Sequence, residues 1–288
     1  MANIKDLKKK IRSTQSTSKI TTAMKLVSAA KLNKAQQAIG GAKPYATELD
    51  STIKTISALV RDYEHPFFKV NDNPKSLILV ISSDKGLCGG YNVQLTKKLD
   101  SFISGNEDDY KLYFIGKKAK ELIKTKPSLG KTITFERSEP TFDEFTRIVD
   151  ELSHLFKSGE FGKVYVAYNS FNSAISFNSN VKQVLPMELD SSEKTRLNEE
   201  FPFDFKYEPE PNVILDTLIP QALVSTVWTA QLDALASEHG SRMAAMDNAS
   251  KNCKELIRNL TLKMNKLRQA GITTELIEVV SGAESLNN

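Results

Sequence analysis

Along the last third of the chain, apolar and small residues recur at steps of four and three in strict alternation: Leu218, Ala222, Ser225, Thr229, Leu232, Ala236, His239, Met243, Met246, Ser250, Cys253, Ile257, Leu260, Met264 and Leu267. A 3.5-residue period sustained over roughly seven heptads is that of a helix supercoiling left-handedly around a partner rather than lying on a globular core. The pattern predicts one helix from about Val213 to Val280, on the order of 100 Å long at 1.5 Å per residue. Ala222, Ser225, Thr229, Ala236 and Ser250 are small, so their layers bury roughly half or less of the 1.5–3 kcal/mol that a leucine layer gives. Pro220 removes a backbone donor and is expected to kink or start the helix, with Pro209 and Pro211 just upstream.

The other end of the chain carries a second helical pattern. Ile4, Leu7 and Ile11, then Ile20, Met24 and Val27, stand at helical spacing within Ile4 to Ile39, and the polar run Ser13 to Ser18 shifts the apolar phase between them. A break is expected near Gly40, Gly41 and Pro44 before the helix continues through Ile53, Ile56 and Leu59. Each long helix has a narrow apolar stripe that the other can cover, and the central region between them can connect either pairing sense; of the two we expect the antiparallel one.

Between the two the period changes. Leu77 to Ile81 is a continuous run of β-formers, as in a strand buried on both faces, and a polar, glycine-rich turn from Ser82 to Gly90 leads into a helix from about Asn92 to Ile103. The alternation continues with Leu112 to Ile115 as strand, Lys117 to Lys124 as helix, Thr132 to Glu136 as strand, Phe142 to Phe156 as helix and Val164 to Tyr168 as strand. Ile175, Phe177 and Val181 to Met187 suit an edge strand or hairpin. Strands alternating with helices argue a mainly parallel sheet. The expected organisation is a coiled-coil helix over 1–60, an α/β domain over 75–190, an acidic connector over 191–211 and a second coiled-coil helix over 212–288.

Composition adds the position of the charges. The 288 residues are 26% charged and 40% apolar, with net charge +4. The first 34 residues hold Lys5, Lys8, Lys9, Lys10, Arg12, Lys19, Lys25, Lys31 and Lys34 against Asp6 alone, and acids gather instead at Glu107 to Asp109 and from Glu199 to Glu210. A second basic cluster, Lys251, Lys254, Arg258, Lys263, Lys266 and Arg268, would meet the first in an antiparallel pair and form a positive collar. Ile4 to Ile39 contains no Phe, Tyr or Trp, which favours a solvated face or an acidic protein partner over nucleic acid. No apolar run approaches a membrane span and no secretory signal core is seen, so a cytosolic chain is expected. Cys88 and Cys253 have no metal-binding spacing and are expected as free thiols, and His65, His154 and His239 are scattered.

The turn Ser83-Asp84-Lys85-Gly86-Leu87-Cys88-Gly89-Gly90 follows a strand and opens a helix, where α/β proteins bind phosphates. Its glycines fit neither GxGxxG nor a P-loop. Three readings stand: a nucleotide loop, a tight structural turn, and a protein-contact loop with Lys85 as its charged tip. Gly116-Lys117-Lys118 is read as a helix start only. At the far end Ile272, Leu276, Ile277, Val279, Val280, Ala283 and Leu286 occupy nearly every face of the helix, and a helix apolar all round has to be enclosed.

Several stretches carry a family resemblance. Ile272-Thr273-Thr274-Glu275, Glu278, Gly282-Ala283 and Ser285 fit a C-terminal signature. Ser18 to Lys25, Ser83 to Gly90, Tyr207-Glu208-Pro209-Glu210-Pro211 and Leu267-Arg268-Gln269-Ala270 look like further recurrent stretches. Together the chain resembles, over essentially its whole length, the γ subunits of F-type ATP synthases. The resemblance implies an antiparallel two-helix coiled coil from the N- and C-termini plus a Rossmann-like α/β domain with a mainly parallel sheet. It implies a central rotor shaft, not itself an enzyme, that couples proton flow through a membrane ring to ATP synthesis or hydrolysis on a catalytic ring.

The same resemblance gives roles to positions. Lys85, Arg268 and Gln269 match polar catches to the β subunit, and Met24, Arg242 and Glu275 match positions implicated in coupling. Tyr207 and Glu208 would face the ε subunit and the membrane c-ring. The implied partners are the α and β subunits of the catalytic ring, ε and the c-ring, one copy of the chain per complex, with no nucleic acid and no direct membrane insertion. No catalytic residue, cofactor or metal is expected, nor thiol control, since the cysteine-bearing insertion of the light-regulated chloroplast form is lacking. The implied location is peripheral, on the cytoplasmic side of a bacterial plasma membrane. The reading from a different class is a coiled-coil adaptor or chaperone with an α/β base, which would call for a polar helix tip.

Overall fold

Leu77 to Ile81 can all be buried only in a strand covered on both faces, and this run is the centre of a five-stranded sheet. The structure is a computed structural model that describes residues 4–60, 65–106, 108–123, 128–133, 135, 140–187 and 206–286. β1 (Lys75–Ile81), β2 (Asp109–Ile115), β3 (Ser128–Ile133), β4 (Lys163–Ser173) and β5 (Ser176–Leu185) lie in the order β3-β2-β1-β4-β5. β1 is parallel to β2 and β4, β2 is parallel to β3, and β5 closes the edge as an antiparallel hairpin with β4.

Successive residues of β1 point to opposite faces, and the two faces have different covers. Leu77, Leu79 and Ile81 pack with Phe145, Val149 and Leu152 of α4 (Phe142–Lys157). Ile78 and Val80 pack with Leu95 and Leu99 of α2 (Tyr91–Ser104) and with Ala119 of α3 (Lys118–Leu122). The start of α4 is fixed by a capping box, in which the Thr141 hydroxyl accepts from the Glu144 N–H while the Glu144 carboxylate accepts from the Thr141 N–H. β1, α2 and α4 stand where the period places them. β3 does not: it begins at Ser128, ahead of the expected Thr132, because its register is set by pairing Leu129 with Leu112 and Ile133 with Ile115. Hydrogen bonds across the ladder outweigh a local pattern this weak.

Two long helices, α1 (Ile4–Leu59) and α5 (Pro211–Leu286), contribute to two compact units: Met1–Ser28 with Arg242–Asn288, and Ala29–Ser241. The α/β sheet belongs to the second. Within it Leu215, Ile219, Leu223, Val227, Ala230 and Ala234 of α5, with Leu49 and Ile53 of α1, complete the core under α4. The first turns of α5 therefore do lie on a globular core, contrary to the heptad reading. They contain Pro220, and the helix runs through it from Pro211 without a stop, because packing supplies more than the lost backbone bond. α1 likewise passes Gly40, Gly41 and Pro44 unbroken. α5 also holds a window that by length and composition could cross a membrane, a correction to the sequence estimate; much of it is core of this unit.

In the unit of Met1–Ser28 and Arg242–Asn288 the two helices form a coil. The Thr22 and Ser250 hydroxyls are 3.1 Å apart, and Lys25 Nζ lies 2.6 Å from the Asp247 carboxylate. A step of three up α1 thus matches a step of three down α5, so the pair is antiparallel as expected. The phase shift expected over Ser13 to Ser18 does not occur. Leu7, Ile11, Thr14, Ser18, Thr21, Lys25 and Ser28 keep alternating steps of four and three and are all buried or half-buried. Ile20 and Val27, expected in the seam, are instead 60% and 58% exposed. The polar residues hold the seam because their hydroxyls are satisfied inside the helix: Thr14 donates to the Lys10 carbonyl and Thr21 to that of Ser18.

Candidate functional site

In the coil unit the tip of α5 leaves its apolar side chains in the open. Ile272, Leu276, Ile277, Val279 and Val280 are all half or more exposed, with Val279 at 69%. Thr273 and Thr274 donate to the carbonyls of Gln269 and Ala270, which removes their hydroxyls from the surface chemistry of the tip. Arg268, Gln269, Glu275, Glu278, Gly282 and Ala283 are exposed on the same stretch. The Ser285 and Leu286 side chains lie outside the described residues.

Below the tip the coil is basic. The register of Thr22 with Ser250 sets Lys19 level with Cys253 and Lys254, and Lys5 level with Leu267 and Arg268. Two cations assigned to the collar serve another purpose. Asp247 accepts from Lys25 on one carboxylate oxygen and from Lys251, at 2.7 Å, on the other. These lysines, Lys25 first, hold the Asp247 carboxyl down at about 2. Met24 is half-buried beside this pin. Arg242, matched to a coupling contact, is only 9% exposed, so its side chain is not presented to a partner as a surface cation.

In the α/β unit the loop between β1 and α2 is tied from below. The Asn92 side chain accepts from the Ser83 N–H at 3.2 Å, and its amide lies 2.8 Å from the Ser83 hydroxyl and 3.3 Å from the Cys88 sulfur. The crevice at the carboxyl ends of β1 and β4, where a doubly wound sheet binds ligands, is crossed by Asn169, whose amide donates to the Tyr91 carbonyl and which accepts from Ser179. Ser237 of α5 donates to the Asn169 carbonyl. These hydrogen bonds tie the crevice together at Asn169, which favours the tight turn and the protein-contact loop over a nucleotide loop. Gly116, at φ 80°, lies so close to the Ser82 carbonyl that a Cβ would collide with it, and the first α3 donors go to Ser83 and Ser82. That turn is structural, as read. Cys88 is a buried free thiol and Cys253 a half-buried one.

Tyr207 is half-buried and Glu208 exposed, just before α5; residues 188–205, most of the acidic connector, lie outside the described residues. Lys43 of α1 reaches Asp233 of α5 at 3.0 Å, a second Lys–Asp tie between these helices, here with the carboxyl buried and pushed up by its burial. The spacing of apolar residues carries no trace of the pins at Asp247 and Asp233 or of the polar α1 seam. An acid within a basic run, such as Asp247, was the available signal.

Comparison with known proteins joins these pieces. Residues 3–286 match a family profile described as ATP synthase. The ATP synthase gamma chain of Anaeromyxobacter sp. strain Fw109-5 is 39% identical over 99% of this chain and 100% of its own, and that of Trichlorobacter lovleyi is 35% identical over 99% of each. This chain belongs to the ATP synthase gamma-chain family. Solved structures share the fold at lower identity. A chain of the Euglena gracilis mitochondrial ATP synthase assembly of OSCP, F1 and c-ring, in rotational state 3, has a TM-score of 0.69 at 18% identity, covering 98% of this chain and 94% of that one. A chain of the Tetrahymena thermophila mitochondrial central stalk and c-ring gives 0.59 at 24%, covering 80% and 99%. A gamma-chain fold thus unites the α/β unit and the coil unit in one polypeptide.

Proposed function

We propose that this gamma-family chain is the central rotor shaft of a rotary ATP synthase, a non-catalytic subunit that couples ion flow through a membrane ring to ATP synthesis or hydrolysis on a catalytic ring. The observation that supports it best is the exposed apolar tip: five large aliphatic side chains around one helix end are stable in water only when sheathed. A ring of α and β subunits is the sheath that fits a gamma chain. The α/β unit then serves as the foot, with Tyr207 and Glu208 toward ε and the c-ring. One copy acts per complex, peripheral to the cytoplasmic side of a bacterial plasma membrane.

The mechanism needs no bond chemistry in the shaft. As an asymmetric surface turns, it favours different conformations of successive β subunits, and nucleotide affinity at distant sites follows by coupling. Lys85, Arg268, Gln269 and Glu275 are exposed and suit transient contacts. An exposed ion pair is worth only about 0–1 kcal/mol, so a collar of Lys19, Lys254, Arg258 and Lys266 can guide the shaft past acidic loops without holding it at one angle. Affinity purification of the chain from its source, followed by native mass measurement, tests the assignment. Three copies each of two companion subunits per copy of the chain are expected; recovery of the chain alone, or with a single small partner, would refute it.

A further inference from the structure

In the Ala29–Ser241 unit, α1 is weakly packed and weakly helical over the same few residues. Its seam there runs through Leu32, Ala35, Ile39, Ala42, Ala46, Leu49 and Ile53 in alternating steps of three and four, and the members at 42 and 46 are alanines, only half-buried. Gly40, Gly41, Lys43, Pro44 and Tyr45 are exposed. An alanine buries little apolar area, so the seam loses most of its grip between Ile39 and Leu49.

The backbone is no stronger. Glycine and proline are the two poorest residues in a helix interior, and Gly40, Gly41 and Pro44 stand within five positions of one another. Nothing packs within 4 Å of the position a Cβ would take at either glycine, so neither is there to allow a close approach. Pro44 has no N–H to offer the Gly40 carbonyl. The Thr47 hydroxyl turns back on the Lys43 carbonyl at 3.0 Å, a bond that slightly weakens a helix. A segment short of both packing and propensity is the kind that opens locally while its surroundings stay folded.

Lys43 ties this stretch to the rest of the unit. Its Nζ lies 3.0 Å from the carboxylate of Asp233, whose side chain is only 6% exposed, and that carboxylate also accepts the Phe171 N–H of β4. The acid is thus held on α5 and bonded to the sheet, while Lys43, with its side chain 46% exposed, can swing back into water. We propose that Gly40 to Ala46, about two turns, form a joint in α1 that the Lys43–Asp233 pair clasps shut. With the pair broken these turns unwind, and the flanking turns stay anchored by Leu32 and Ile39 on one side and by Leu49 and Ile53 on the other. The joint belongs to the chain by itself and stands apart from the rotor assignment.

Hydrogen exchange of the full chain, resolved along the sequence, tests it. In the parent the amides of 41–46 should be less protected than those of 32–39 and 49–53. Asp233→Asn keeps an acceptor for the Phe171 N–H and strands no buried cation. It should lower protection at 41–46 about 10- to 100-fold, as expected for the loss of one charge-assisted bond, with β1 and β4 unchanged. Replacing Gly40, Gly41 and Pro44 together by alanine should raise protection there and cancel most of the effect of Asp233→Asn. Residues 41–46 as well protected in the parent as their neighbours would overturn the joint. Parental protection of that stretch in Asp233→Asn would overturn the clasp. An equal loss of protection in β1 and β4 would mean that the pair secures the whole unit, and would overturn a local device.

Discussion

Three glycines of the Ala29–Ser241 unit allow one substitution to be tried in three surroundings. Gly41 lies on the exposed side of α1 with nothing within 4 Å of the position a Cβ would take. Alanine there gains helix propensity of about 0.8–1 kcal/mol at no steric cost. Gly240 is also helical, in α5, but its Cβ would lie 2.8 Å from the Ala174 carbonyl oxygen at the tip of the β4–β5 hairpin. Since the obstacle is backbone, the same propensity gain is opposed by overpacking of about 2 kcal/mol, a net loss of about 1. Gly116 has no gain to offer: its φ of 80° costs an alanine about 1–2 kcal/mol, and the collision with Ser82 adds overpacking of about 1–3. At roughly 2–4 °C per kcal/mol for a unit of this size, Gly41→Ala should raise the melting temperature by about 2–4 °C. Gly240→Ala should lower it by a similar amount, and Gly116→Ala by about 4 °C or more. The single tryptophan, Trp228, sits edge-on against Phe142 and Phe145 in this same unit, so its fluorescence reports the transition. If Gly240→Ala melts higher than the parent, as Gly41→Ala should, then α5 does not lie against the hairpin tip and the packing argument fails.

Stability should also depend on pH through His65. Burial, aided by Lys157, lowers its pKa, and its Nδ1 accepts from the Phe67 N–H. The unfolded chain therefore takes up a proton near pH 6.5 that the folded one refuses, so stability present above that pH is lost as pH falls below it; the loss should shrink in His65→Asn, and an unchanged pH profile in that variant would exclude His65. In the coil unit, Ile20→Ala should cost less than about 0.5 kcal/mol and Leu7→Ala about 2–4 by chemical denaturation, with the opposite order refuting the seam described here. On the rotor assignment proposed above, neutralising Lys19 and Lys266 together should make coupled ion pumping by the assembled complex less sensitive to salt, and pumping with an unaltered salt response would rule out a guiding role for the collar.

Part of this architecture is legible in local periodicity alone. The run Leu77 to Ile81 could only be a doubly covered strand, and the 4–3 repeat on α5 could only be a very long helix with a seam. From Met246 to Leu267 that seam is buried or half-buried residue for residue. The apolar tip was equally legible, because seven aliphatic positions around one helix need no partner to be recognised. Tertiary structure decided where local preference and packing pull in different directions. Pro44 and Pro220 stay inside their helices because neighbouring turns are anchored by Leu49, Leu215, Ile219 and Leu223. The α1 seam runs through Thr14, Ser18, Thr21 and Lys25 because hydroxyls turned back on their own helix and a lysine paired with Asp247 can be half-buried at little cost, while Ile20 and Val27 fall on the outer face. No period encodes the burial of Arg242. It arises only when distant segments meet, since pairing partners, not spacing, fix what a polar residue can do.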